Sequence, residues 1–182
     1  MASVLVILAE GFEEIEAIAV IDILRRAEIN TVVAGLKEGF ITSARGVKVI
    51  PDCTLDSVSA VNFDMVVLPG GMPGTLNLAA DTRVKSLVAS MYNDGKYTAA
   101  ICAAPFVLSE AGVLSGKTAT SHPSYHDKIK AATVSKTERV VVDGKVVTSQ
   151  GAGTAIEFSL KIVELFCGKE RADSIHAAMV CS

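Results

Sequence analysis

Cys102 stands in the run Ile101-Cys102-Ala103-Ala104-Pro105, where an apolar stretch ends and a helix must begin. A cysteine with tiny neighbours at a strand-to-helix turn has the pattern of a nucleophile elbow, which lifts one side chain into the crevice above a sheet. Free amides at a helix start would stabilise its thiolate, the nucleophilic form. A buried cysteine is also an ordinary small hydrophobe, so position alone leaves both readings open.

Glu16 is the second candidate. At 100° per residue along a helix predicted over 13–27, it shares a stripe with Val20, Ile23 and Ala27, while Asp22, Arg25 and Arg26 fall on the other side. A carboxylate on a buried stripe costs several kcal/mol unless it is paired or neutral. Burial raises a carboxyl pKa and keeps the proton on, ready to be donated or shuttled. The plainer reading places Glu16 at the stripe's edge, reaching for water. Glu13, one turn earlier, could reach the mouth of the same site.

Two further segments complete the set. In Leu68-Pro69-Gly70-Gly71, adjacent glycines leave backbone N–H groups uncovered, as an oxyanion-binding turn requires; any chain reversal could use the same residues. In Ser121-His122-Pro123-Ser124, proline restricts the residue before it and so aims the ring of His122, although a lone histidine is more often structural. His126 and His176 are expected on helical surface, and Cys53, Cys167 and Cys181 follow no motif.

The elements that must position these residues can be read from hydrophobic period. Ser3 to Ala9 and Phe63 to Leu68 are continuously apolar, as strands buried on both faces are. Strands are also predicted at Thr31 to Ala34 and Tyr97 to Ile101, and an apolar stretch runs from Lys117 to Thr120. Arg139 to Val142 and Lys145 to Ser149 flank Asp143-Gly144, a hairpin signal. Helices are predicted over 13–27, Asp81 to Asn93, from Ala104-Pro105 onward, about 154–166, and from Lys169. Strands alternating with helices imply right-handed βαβ units and a mostly parallel, doubly wound α/β sheet covered on both faces. Ligands of such sheets bind beyond the carboxyl ends of the strands, where the candidates lie. No linker or repeat divides the chain, so one domain over 1–182 is expected.

Composition narrows the function classes. Seventeen basic against twenty acidic residues, with no Lys/Arg run longer than Arg25-Arg26, give no nucleic-acid signature. Val4 to Ala9 is far short of the ~20 residues of a membrane span, and no basic segment precedes it as in a signal peptide. The four cysteines show no CxxC and no metal-ligand spacing with the histidines, so reduced thiols, no metal and a cytoplasmic setting are expected.

Together, LVILAEGFEEIEA, VVLPGG at 66–71, AAICAAP at 99–105, TSHPS at 120–124 and TSQGAGTAIEF at 148–158 resemble the ThiJ/PfpI superfamily, in the branch of the parkinsonism-associated protein deglycase and its bacterial relatives. The resemblance implies a flavodoxin-like fold and a homodimer. It implies Cys102 as the nucleophilic, oxidisable cysteine, Glu16 as its protonated partner and His122 as the nearby histidine. Gly70, Gly71 and the Ala103 amide would surround the reacting oxygen, and Arg45 and Arg26 would line the pocket mouth. Ala103 stands where the protease-like branch has histidine, which argues against a peptidase. The late His-x-Glu and the flanking glycines of class I glutamine amidotransferases are missing too. Ser43 replaces a cysteine common in close relatives, and Gly151-Ala152-Gly153 replaces Gly-Pro-Gly, leaving that loop's rigidity in question.

The expected function is cofactor-independent detoxification of α-oxoaldehydes such as methylglyoxal and glyoxal, or of early glycated adducts, through a Cys102 hemithioacetal with Glu16 as general acid/base. The alternative is a redox-sensing stress protein or chaperone acting through oxidation of Cys102.

Overall fold

The computed structural model describes residues 2–181. In chain order the strands and helices are β1 (Ser3–Leu8), α1 (Glu14–Arg26), β2 (Asn30–Gly35), β3 (Ile41–Thr42), β4 (Lys48–Val49), β5 (Cys53–Thr54), β6 (Met65–Leu68), α2 (Gly74–Ala80) and α3 (Thr82–Asn93). Then come β7 (Tyr97–Ile101), α4 (Pro105–Glu110), β8 (Thr118–Ala119), β9 (Thr133–Val134), β10 (Val140–Asp143), β11 (Val146–Ser149), α5 (Ala155–Cys167) and α6 (Lys169–Ala178).

The central sheet has the order β10-β11-β7-β6-β1-β2-β5. All its neighbours are parallel except β10 and β11, which the Asp143-Gly144 turn joins as an antiparallel hairpin. β1 shows why the apolar runs are continuous. Val4, Val6 and Leu8 face one core with Val20, Ile23 and Phe158, whereas Leu5 and Ile7 face another with Val84, Val88 and Leu108. Helices α1, α5 and α6 therefore cover one face, and α3 and α4 the other, which gives the expected flavodoxin-like doubly wound sheet. The chain leaves β1 for β2 on one side and returns to β6 on the other. That reversal places a topological switch point between β1 and β6, with β7 alongside.

Local signals act where they were read. Asp81 caps α3 by accepting the Arg83 N–H at 2.9 Å, and Pro105 opens α4 after Ala104. Three features differ from expectation. The strand predicted near 117–120 shrinks to β8, which pairs only with β9 in a small separate sheet. Side chains take its other amides: Asp143 accepts Thr118 N–H at 2.8 Å and Thr148 Oγ1 accepts Thr120 N–H at 2.9 Å. His122 thus does not follow a strand of the central sheet. Helix α2 and the two-residue strands β3, β4, β5 and β9 were not foreseen. His126 is half-buried rather than on helical surface, its Nε2 lying 3.1 Å from the Ser121 carbonyl oxygen. Among the described residues no helix is long and apolar enough to cross a membrane.

Candidate active site

Cys102 is the residue after β7, and its φ of 63° lies in the left-handed region that non-glycine residues avoid. Hydrogen bonds on both sides hold it there. Its N–H donates to the Ser149 carbonyl at 3.0 Å, continuing the β7–β11 ladder, and its own carbonyl accepts the His122 N–H at 2.7 Å. A strained residue fixed by its surroundings is a mark of functional sites.

Glu16 sits in the first turn of α1 and is fully buried. Glu13 caps that helix by accepting the Glu16 N–H at 2.7 Å. Glu16 Oε2 accepts the Gly70 N–H at 2.8 Å, while Oε1 is buried without a hydrogen-bond partner of ordinary geometry. Burial pushes the carboxyl up to about 7; the Gly70 amide and the neighbouring Cys102 thiol pull against it, and the Glu13 charge adds to it. At neutral pH the carboxyl is therefore poised between its two forms.

Burial, then the charge of Glu16, pushes the Cys102 thiol up to about 12, against the Ala103 and Gly71 amides that favour its anion. This corrects the expectation of a thiolate held by a helix start. α4 is only six residues long, and the dry neighbourhood outweighs its amides. The resting pair is a thiol beside a carboxyl that readily takes or gives a proton.

Gly70 also differs from expectation. Its N–H is committed to Glu16 and is not free for a reacting oxygen; the amides of Gly71 and Ala103 are the ones beside the sulfur. What Gly70 supplies is room. A Cβ there would stand 2.7 Å from the Cys102 Cβ, 2.9 Å from Glu16 Oε2 and 2.9 Å from the Ile101 carbonyl oxygen. Gly70→Ala is expected to cost about 1–3 kcal/mol in a urea melt and to disrupt the pair, because backbone stands on one side of the clash. Gly71, at φ 94°, turns the chain where Glu13 and Gly11 crowd it.

Gly71, Cys102, Ala103 and His122 open onto a cavity of about 260 Å³ whose lining also includes Glu13 and Arg45; Glu16 and Gly70 are not part of that lining. Ala44, Met72, Ser124 and Tyr125 also line it, and sequence reasoning missed them. Arg45 is exposed at the mouth, its Nη1 donating only a long 3.4 Å bond to the Ala44 carbonyl. Ser43 holds that turn, its Oγ accepting Val47 N–H at 2.9 Å and Arg45 N–H at 3.3 Å. Arg26 does not belong to the site. It lies in the last turn of α1, about 15 Å along the axis from Glu16, and its Nε donates to Asp22 at 2.7 Å. The loop at Gly151-Ala152-Gly153 is held without proline, because Thr154 Oγ1 accepts Gly151 N–H at 3.1 Å and meets Ser149 Oγ at 2.6 Å. Among the described residues no cluster of three or more His, Cys, Asp or Glu side chains is placed to hold a metal ion.

Comparison with known proteins identifies the family. The DJ-1/PfpI family model matches residues 2–165. The chain is 45% identical over 175 residues to protein dj-1beta of Drosophila melanogaster, covering 95% of this chain and 94% of that protein. The crystal structure of Drosophila melanogaster DJ-1beta superposes with a TM-score of 0.96 at 43% identity, covering 100% of this chain and 98% of that one. The glutathione-independent glyoxalase DJR-1.2 of Caenorhabditis elegans is 35% identical over 167 residues, covering 91% of this chain and 89% of that protein. A left-handed cysteine above a doubly wound sheet, a buried glutamate beside it and motifs that match along most of the chain have one common explanation: this chain belongs to the DJ-1/PfpI family.

Proposed function

We propose that the chain is a cofactor-independent enzyme that converts small α-oxoaldehydes, such as methylglyoxal, into 2-hydroxy acids. The observation that carries this reading is the fully buried Glu16 coupled to Cys102 at its left-handed turn. The similarity to a glutathione-independent glyoxalase supports the substrate class.

The two acidities couple the first proton transfer to bond formation. As the sulfur bonds to the aldehyde carbon, the thiol proton passes to the Glu16 carboxylate, a weaker base than the thiolate but the one without a proton at neutral pH, and the forming carbon–sulfur bond draws the transfer on. Glu16 returns it to the aldehyde oxygen, which the Gly71 and Ala103 amides stabilise as charge develops, giving a hemithioacetal. Glu16 then takes the proton from the former aldehyde carbon and delivers it to the adjacent carbon through an enediol, while the hydroxyl proton passes from the former aldehyde oxygen to the former ketone oxygen. The product is a thioester of the 2-hydroxy acid. Water cleaves that thioester, releasing the acid and restoring the thiol. One water is consumed overall, and the oxidation of one carbon balances the reduction of its neighbour.

The test is to incubate the purified chain with methylglyoxal and without glutathione, then assay lactate. Lactate above the uncatalysed background supports the reading; its absence overturns it.

The active form is proposed to be a homodimer. Ile15 is 57% exposed, Ile156 41% and Val180 88%, and all three line a groove of about 460 Å³ between the α1 and α6 ends. A contiguous apolar surface of this kind is expected to be covered. Sedimentation should show a dimer, and Ile15→Glu should shift it to monomer; a monomeric parent chain overturns the assignment.

A further inference from the structure

We propose that Ser124 is a positioning residue that holds His122 in the tautomer carrying its proton on Nε2, so that this ring edge donates a hydrogen bond to the substrate's ketone oxygen. The second half of this inference rests on the function proposed above; the first half stands on hydrogen bonding alone.

The Ser124 backbone N–H points at His122 Nδ1 at 3.2 Å, and Ser124 Oγ lies 2.8 Å from the same nitrogen. A backbone N–H can only donate, so Nδ1 must present its lone pair. The hydroxyl then donates as well, and the ring proton resides on Nε2. The rest of the segment is fixed around that ring. The His122 N–H is tied to the Cys102 carbonyl at 2.7 Å, and the Ser121 carbonyl accepts from His126 Nε2 at 3.1 Å. The ring carbon next to Nε2, Cδ2, faces Gly151: a Cβ built there would stand 3.7 Å from Cδ2 and 3.9 Å from Cys102 Sγ. The Nε2 edge and the sulfur thus border one small space, and both residues line the cavity. An aldehyde carbon bonded to Sγ carries its ketone neighbour into that space.

Nitrogen-15 NMR of the three histidine rings in the full chain reads the tautomer directly, with His126→Gln and His176→Gln supplying the assignments. The expected result is a single Nε2–H form for His122, a detectable fraction of the Nδ1–H form in Ser124→Ala, where the 2.8 Å hydroxyl bond is lost and only the longer 3.2 Å backbone bond remains, and restoration in Ser124→Thr. An Nδ1–H ring in the parent chain, or an unchanged spectrum in Ser124→Ala, overturns the assignment whether or not the chain makes lactate. In turnover, Ser124→Ala should lower kcat about tenfold with little change in KM, as partners that orient an imidazole do, and Ser124→Thr should recover it. Unchanged kcat in Ser124→Ala with an altered tautomer would overturn the contact to substrate while leaving the hydrogen-bond reading in place.

Discussion

Cys102→Ser should reduce lactate formation from methylglyoxal by at least about a thousandfold, as loss of a covalent nucleophile does. Serine keeps the shape of the elbow and both backbone bonds, to Ser149 and from His122. What it loses is acidity. Even a thiol pushed up to about 12 gives its proton to a carboxyl at about 7 far more readily than a buried hydroxyl would. Thermal unfolding should move little, since no cavity opens and no charge is stranded. A serine variant that turns over as fast as the parent would show that the chemistry lies elsewhere.

Glu16→Gln should separate function from stability. Turnover should fall about 100- to 10,000-fold, because an amide cannot cycle a proton between sulfur, carbon and oxygen. Stability should respond with a definite sign. A carboxyl whose folded pKa is raised from 4.5 to about 7 binds its proton more tightly in the native state. Its contribution is present in full below pH 4.5 and is lost as pH rises through about 7, a change of roughly 3 kcal/mol. Urea melts at about pH 5 and about pH 8 should therefore show the parent losing stability relative to Glu16→Gln, whatever offset the buried amide imposes at both. Turnover in the parent should rise over the same interval as the carboxylate that accepts the thiol proton appears. Parallel stability curves for the two chains would mean that the native carboxyl is not held in its protonated form.

The pattern of apolar residues made most of this arrangement legible. β1 and β6 were readable because strands buried on both faces cannot alternate, and Glu16 stood out because Val20, Ile23 and Ala27 share its stripe. β3, β4, β5 and β9 are two residues each, too short to carry a period. β8 failed as a central strand because Asp143 and Thr148, more than twenty residues away, capture the amides it would have paired. Met72 meets the Ser124-Tyr125 segment in space only, where the Tyr125 hydroxyl reaches Met72 Sδ at 3.4 Å. Arg26 was carried by resemblance alone, and helix geometry sets it at the wrong end of α1. The acidity of Cys102 depends on how much water the folded chain excludes, which no local pattern encodes.

The Cys102 nitrogen is a rung of the sheet, bonded to Ser149 of β11 in the edge hairpin β10–β11. Sheet margins open locally at lower free energy than the interior. Warming should thus loosen the sulfur's seat before the two cores part, so that the protein falls silent while still folded and regains its voice on cooling.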